Sequence, residues 1–481
     1  MGFRPVLLWT DAVVFALLAV LALYAWRVRR APERRAVWAK VFRDAPALCS
    51  AVVFGAFALV AVLDSLHFRR ALAAPAASAP AERFYATRTE SLLDLLLARP
   101  LAMRESSYSA PLAIHGFGKE SVEVDGRVER AHPRLQFGGA HLADPADRAA
   151  DLARRAIAGL TGGLLLAAVA VVALAGWRAR RRGLRLAASL REIAADRTPL
   201  PLRAGLLTLA ALLALAGVAV ALMGHYHVFG TDRTGNDVLV QALKSVRTAF
   251  VIGTLSTVAT LPLAVGLGLA AGWFGGWVDE AIQYLCTVLS SIPNVLLIAA
   301  CVLMVQVFVD QNPQLFETAA ERADVRLALL CLILGLSGWP GLARLLRGEV
   351  LKLRELEYVQ AASAFGVGAW RIMARHLLPN VMHLVLITTV LDFSALVLYE
   401  AVLSYVGVGV DPSMNSFGGM INLARSEMSR DPVVWWSFAA AFGFMLALVL
   451  AANLLADGVR DAFDPRAAAA RPRRAGRRAL T

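Results

Sequence analysis

Nine stretches of this chain are each long and apolar enough to cross a bilayer, near residues 6–26, 46–66, 157–176, 204–223, 246–271, 281–309, 326–346, 381–403 and 434–456. A hydrocarbon core needs about 20 successive apolar residues per helical crossing, because a helix satisfies its own backbone hydrogen bonds where no water can. Composition agrees: 58% of the 481 residues are hydrophobic and 18% charged, too few charges to coat a water-soluble body. The expected fold is an all-α, polytopic helical membrane protein with one small extramembrane domain.

A formal net charge of +13 invites a nucleic-acid reading. The basic residues, however, sit in segments that flank apolar spans: Arg27, Arg29, Arg30, Arg34, Arg35, Lys40 and Arg43 after the first, Arg178, Arg180, Arg181, Arg182 and Arg185 after the third, and Arg471, Arg473, Arg474, Arg477 and Arg478 near the end. No aromatic-interleaved basic face accompanies them, which argues against nucleic acid. Lys and Arg collect in cytoplasmic loops, so the threading that fits has the N-terminus outside and the C-terminus in the cytoplasm. A cleaved signal peptide is the rival reading of the first 25 residues. The weak basic start and the strong positive charge that follows favour a retained span. Cys49, Cys286, Cys301 and Cys331 show neither CxxC nor Cys/His spacing, so no disulfide framework or zinc site is indicated.

Five regions follow. Residues 1–66 hold two membrane helices and a basic cytoplasmic loop; 67–156 form an external domain; 157–223 hold two more helices with a basic loop; 224–466 form the main transmembrane domain; 467–481 are a basic tail. Within 67–156 there is a helical pattern around Glu90 to Arg99, a turn at Val124-Asp125-Gly126-Arg127, and an Ala/Pro-rich linker from Ala71 to Pro80. His115, His132 and His141 are scattered and read as surface histidines before metal ligands.

Between the seventh and eighth spans lies a polar, amphipathic insert, Glu357 to Asn380. Tyr358, Ala361, Ala362 and Phe365 follow helical spacing, Gly366 and Gly368 suit a sharp reversal, and Trp370, Ile372, Met373 and Leu377 resume an apolar face. Pro379 is expected to hold Leu378 extended before the next span. Periodicity leaves two readings open: a loop helix lying on the membrane, or a rigid knob on which a separate motor pushes.

The insert resembles the "EAA" cytoplasmic loop of ABC-importer permeases through Gln360, Ala361, Ala362, Gly366, Leu378 and Pro379. Gln360 departs from the glutamate common in the family, so no ionic contact is implied there. Further blocks keep family order: HVFGTDRTGNDVL (227–239), AGWFGGWVDE (271–280), SIPNVLL (291–297), GWPGLARLLRGEVLKLRELEYV (338–359), YEAVLSYVGVGVDP (399–412) and ADGVRDAFDPR (456–466). From about His227 to Arg466 the chain is similar to the second permease of dipeptide and oligopeptide importers. The resemblance implies a type I permease fold and pairing with a homologous permease. It also implies two ABC ATPases that bind ATP and magnesium, and an external solute-binding protein. No cofactor is expected on this chain, which has no GxxxxGK phosphate loop. The coupling residues it implies are Glu357, Tyr358, Gln360, Ala361, Ala362 and Gly366, with Leu378 and Pro379 at the loop's exit. The family has a single span before the GTD segment, so the three preceding spans and 67–156 are an extension, expected to dock the binding protein or brace the complex.

Asp392 lies midway through the eighth span, where a carboxylate costs roughly 2.5–3.5 kcal/mol. It faces the pathway or a partner helix, or else is a structural hydrogen-bonded Asp. Glu400, which matches a family glutamate, is expected with Asp392 in the translocation path, lining its outer mouth, and Gly230, Thr231, Asp232, Gly235 and Asp237 form the outer-mouth segment. His225 and His227 with Asp232 and Asp237 could be drawn as a metal site, but the aspartates better suit turns around Gly230 and Gly235. Gly268, Gly272 and Gly276 allow close helix contact. An enzyme lacks support, since no paired acid/base or HExxH constellation is present. A permease-derived sensor is disfavoured by the intact loop, and an exporter by the resemblance. The solute stays open among dipeptide, longer peptide, nickel chelate and peptide-like antibiotic.

Overall fold

A computed structural model describes residues 3–71, 85–124, 127–316 and 318–463. Among them, nine helices are long and apolar enough to cross a membrane. The basic tail 467–481 and most of the linker from Ala71 to Pro80 lie outside the described residues.

The chain opens with strand β1 (Phe3–Val6) and helix α1 (Trp9–Arg30), which stops where Ala31 turns extended and Pro32 starts α2 (Pro32–Val41). Asp44 then caps α3 (Ala45–Ser65) by accepting from the Ala47 N–H. Strands β2 (His67–Arg70) and β3 (Glu90–Ser91) complete an antiparallel sheet in the order β1-β2-β3. The expected helix near residues 90–99 is two short ones, α4 (Leu92–Leu96), begun by a Ser91/Asp94 capping box, and α5 (Ala98–Ala102). Strands β4 (Glu120–Val124) and β5 (Arg127–Ala131) pair with Val124 opposite Arg127, which fits the turn expected there, although Asp125 and Gly126 themselves are outside the described residues.

Helix α6 (Arg148–Arg182) starts before the membrane and returns through α7 (Leu186–Ala194) to α8 (Leu202–Leu222). The α6–α8 pair is nearly backbone to backbone: a Cβ on Gly163 would sit 2.3 Å from the Leu213 carbonyl oxygen. Helix α9 (Val238–Phe274) lies along α12 (Ala319–Leu353), with Gly268 against Ala343 and Gly272 against Val350. Gly276, the third glycine of that series, instead opens α10 and touches nothing.

The expected sixth span, 281–309, is two helices, α10 (Gly276–Ser291) and α11 (Asn294–Gln311). Pro293 breaks it by holding Ile292 extended (φ −88°, ψ 130°) and removing a backbone donor. The insert forms α13 (Glu357–Ala364) and α14 (Ala369–Ile372), followed by α15 (Leu378–Val406), α16 (Phe417–Glu427) and α17 (Trp436–Phe463).

The extension is built into the permease core. Phe54 on α3 packs on Phe250 of α9 and Phe393 of α15, with ring centroids 5.0 and 5.6 Å away. An ionic cluster lies beside this contact. Arg247 of α9, 4% exposed, donates to Asp11 of α1 (2.7 Å), Thr10 (3.0 Å), Asp324 of α12 (3.5 Å) and Ser65 of α3 (3.3 Å). Thr10 donates from its backbone to Asp324 at 2.9 Å, and His67 bonds Asp11 at 2.7 Å. Breaking a buried pair leaves an unpaired charge in low dielectric. Arg247→Met should therefore lose about 3–5 kcal/mol of stability, read by unfolding in detergent. Adding Asp11→Asn and Asp324→Asn should recover most of it; a triple variant no better than the single one would disprove the ionic origin.

Candidate functional site

The insert is a knob with a buried root and an exposed tip. Helix α13 ends in a Schellman turn: the Gly366 N–H donates to Ser363 (3.0 Å) and the Val367 N–H to Ala362 (3.1 Å). Gly366 has φ +79° and open space where a Cβ would stand, so its requirement is set by the backbone alone. Val359, Ile372, Met373 and Leu377 are buried in one cluster with Trp339, Leu346 and Val350 of α12.

Tyr358, Ala361 and Phe365, spaced as one helical face, are exposed, while Ala362 is half-buried and the inward residue is Val359. Phe365 is 88% exposed and Trp370 is 74% exposed, although the sequence pattern places Trp370 on an apolar face. Two large aromatics thus stand exposed beside the reversal, an arrangement that periodicity does not disclose. A signal for it exists in the sequence: aromatics at both shoulders of a glycine turn inside a polar insert. Glu357 and Gln360 are also exposed, and Gln360 donates to Glu355 at 3.4 Å.

Leu378 is not extended as expected: it is helical, at φ −54° and ψ −46°. A π-helical turn, Met373–Leu377, precedes it and makes room for the Pro379 ring, which would otherwise strike the carbonyl four residues back. The knob thus runs directly into α15. Tyr358 accepts from the Asn380 side chain at 2.9 Å, tying α13 to the same helix.

Asp392, on α15, is half-buried and has no hydrogen bond or ion pair among the described residues. Glu400, expected near an open mouth, is instead 2% exposed; Ser404 donates to it at 2.7 Å, and a Cβ on Gly418 of α16 would stand 2.8 Å from its carboxylate. In this chain α16 covers it.

The GTD segment is covered as well. Thr231 is fully buried and Gly235, at φ +78°, is so close to the segment 67–156 that a Cβ would lie 1.9 Å from the Glu105 carbonyl oxygen. Gly230 has φ +71°, and its carbonyl accepts from Val238 at 3.1 Å. Asp237 caps α9 by accepting from Val240 at 3.1 Å, and Asp232 accepts from the Thr234 and Asn236 N–H groups at 2.8 and 2.9 Å. These are the turn roles expected of the two aspartates.

His227 belongs to a different group from the one drawn from sequence. Its Nδ1 bonds Asp237 at 2.9 Å and its Nε2 faces Glu105 at 3.4 Å. His225 stays apart, stacked edge-on against His141. His141 is exposed, as are His115 and His132, which is where the three were expected; it also bonds Asp151 at 2.7 Å beside Arg154, Arg155 and Tyr226. Burial opposes the His227 charge, but bonds to Asp237 and Glu105 outweigh it and raise the imidazole to about 9. Burial likewise pushes the Glu105 carboxyl up; His227 and the Gly138, Phe137 and Gln136 N–H groups win and hold it at about 2.

Nine apolar helices among the described residues, with an exposed knob between two of them, define a multi-pass helical membrane protein. The family described as "Binding-protein-dependent transport system inner membrane component" matches residues 264–469. The oligopeptide transport system permease protein of Mycobacterium tuberculosis is 31% identical over 242 residues, 50% of this chain and 77% of its own length. The glutathione transport system permease protein of Pectobacterium atrosepticum is 32% identical over 240 residues, 50% and 73% of the two chains. The dipeptide transport system permease protein of Lactococcus lactis is 30% identical, over 50% and 64%. The chain belongs to this family and is a permease subunit of an ABC importer.

The His227 site gives a pH test. A raised histidine contributes stability that is complete below its unfolded value near 6.5 and lost as pH rises through about 9. The Glu105 contribution is present above its unfolded value near 4.5 and lost as pH falls through about 2. Thermal stability in detergent should fall between about pH 6.5 and 9 in the native chain, and His227→Gln should be less stable at pH 6 with that slope flattened. An unchanged slope in the variant would assign the pH dependence elsewhere.

Proposed function

We propose that this chain is one of two homologous permeases in an inner-membrane importer for peptides or peptide-like solutes. A solute-binding protein delivers the solute from outside, and two ABC ATPases, which carry the ATP and magnesium, drive transport from the cytoplasm. The N-terminus lies outside, and the basic segments and the knob lie inside. The observation that carries this reading is the knob: an aromatic tip beside Gly366, a root packed on α12, and an uninterrupted helical path into α15. The names of the oligopeptide, dipeptide and glutathione relatives support the peptide class.

On this reading ATPase closure pushes Phe365 and Trp370, and the π turn passes the displacement to α15. Asp392 rides on that helix without a partner of its own among the described residues, so we place it toward the passage or the second permease. The N-terminal helices and the external domain serve as a brace, because Asp11, Ser65 and Glu105 bond directly to permease residues.

Gly366→Val should cost about 1–3 kcal/mol of backbone strain at the reversal without any clash. Reconstituted complex should assemble, keep basal ATP hydrolysis and lose about tenfold in uptake per ATP; normal coupling would overturn the role of the turn. Asp392→Lys should abolish uptake in assembled complex while Asp392→Asn keeps part of it. Normal uptake by the lysine variant would remove Asp392 from the passage.

A further inference from the structure

The end of α1 and the start of α2 form an arginine-lined elbow that neither the family match nor the transport reading uses. One open groove is lined by Arg27, Arg30, Ala31, Pro32 and Arg34. A second is lined by Arg29, Arg30, Pro32, Arg35, Ala36 and Ala39. The two share Arg30, whose guanidinium lies 3.7 Å over the Trp26 ring and is held there by the cation–π contact.

Residues 27–43 carry seven basic side chains against one acid, Glu33, whose side chain is outside the described residues. None of Arg27, Arg29, Arg30, Arg34 and Arg35 has a carboxylate partner among the described side chains. In the basic run that ends α6, Arg178 and Arg182 face Glu192 at 3.5 and 3.7 Å, which offsets part of its charge. Like charges gathered without counter-charge repel one another, and an anion placed among them relieves that repulsion.

The position of the elbow says which anion. It ends a membrane-crossing helix, so it stands at headgroup depth, and the α1 surface leading to it is apolar and open, with Val20 60%, Leu21 52% and Leu23 50% exposed. A phosphodiester fits the guanidinium forks, and acyl chains fit the face alongside. We propose that the α1–α2 elbow is a binding site for the headgroup of an anionic phospholipid. Its seat is firm, because Trp38 of α2 packs on Phe463 of α17 with centroids 5.7 Å apart and Val41 is buried against Val459. Lipid held there rests against the permease core.

Full-length chain purified in mild detergent would be titrated with phosphatidylglycerol and with phosphatidylcholine, and bound lipid counted by native mass spectrometry. Native chain should retain phosphatidylglycerol over phosphatidylcholine. Arg30→Gln with Arg34→Gln should weaken that retention about fivefold for each arginine removed, Arg30→Lys should weaken it less, and the control Arg70→Gln with Lys352→Gln, whose side chains are already paired with Glu90 and Glu349, should stay near native. The side chains replaced are at the surface, so unfolding in phosphatidylcholine should not change. Inorganic phosphate should fail to displace the lipid. The proposal is overturned by unchanged retention in the Arg30/Arg34 variant, by an equal loss in the control, by equal retention of both lipids, or by full displacement with phosphate.

Discussion

One buried guanidinium holds the two halves of this molecule in register. Arg247 stands on the helix that begins the permease, and its acceptors come from three others: Asp11 on α1, Ser65 at the end of α3 and Asp324 on α12. A charge so enclosed is tolerated only with opposite charge beside it and its donors satisfied. Both conditions depend on α1 and α3 being where they are. The N-terminal helices thus share in the packing of the permease helices through Asp11 and Ser65.

The same logic continues outward. Lys244, one turn from Arg247 on α9, donates to Asp94 of the external domain at 2.6 Å, and Asp94 also closes the capping box that starts α4. Farther out, His227 joins Glu105 to Asp237, the cap of α9. Three ionic contacts in series thus link α9 to the extension from within the helix to its first residue. Each puts charge of one sign on the permease and of the other on the extension, which favours this docking over a slipped one.

Much of this is legible in the sequence. Spans are written as apolar length, which is why nine crossings can be counted from it, and the Gly366 reversal is written as a residue type that the backbone demands. What escapes such reading depends on which side chains meet. Asp11, Arg247 and Asp324 are separated by 236 and 77 positions, and nothing local marks them as partners. Local spacing groups His227 with His225, Asp232 and Asp237, of which Asp237 does bond it, whereas its second partner, Glu105, is 122 residues away. Pro293 and Pro379 show the limit of local rules. Both should restrict the residue before them, yet only Ile292 is extended, because at Leu378 a π turn upstream relieves the clash.

The distribution of these restraints bears on how such a chain could move. Buried ionic contacts join α9 to the extension, while at the opposite ends of α9 and α12 the close contacts are Gly268 on Ala343 and Gly272 on Val350, with part-buried Arg347 paired to Asp279 of α10 and Arg354 donating to the Gly272 carbonyl at 3.4 Å. Apolar contacts can rearrange without leaving a charge unpaired. Buried ion pairs cannot, because separating them exposes charge to low dielectric. Between the two ends, Pro262 in α9, Pro293 between α10 and α11, and Pro340 in α12 interrupt the helical hydrogen bonding. A push delivered at Phe365 and Trp370 would then bend the helices about these prolines, with the ionic end as the fixed point. Displacement would be largest near the knob and smallest beside Arg247.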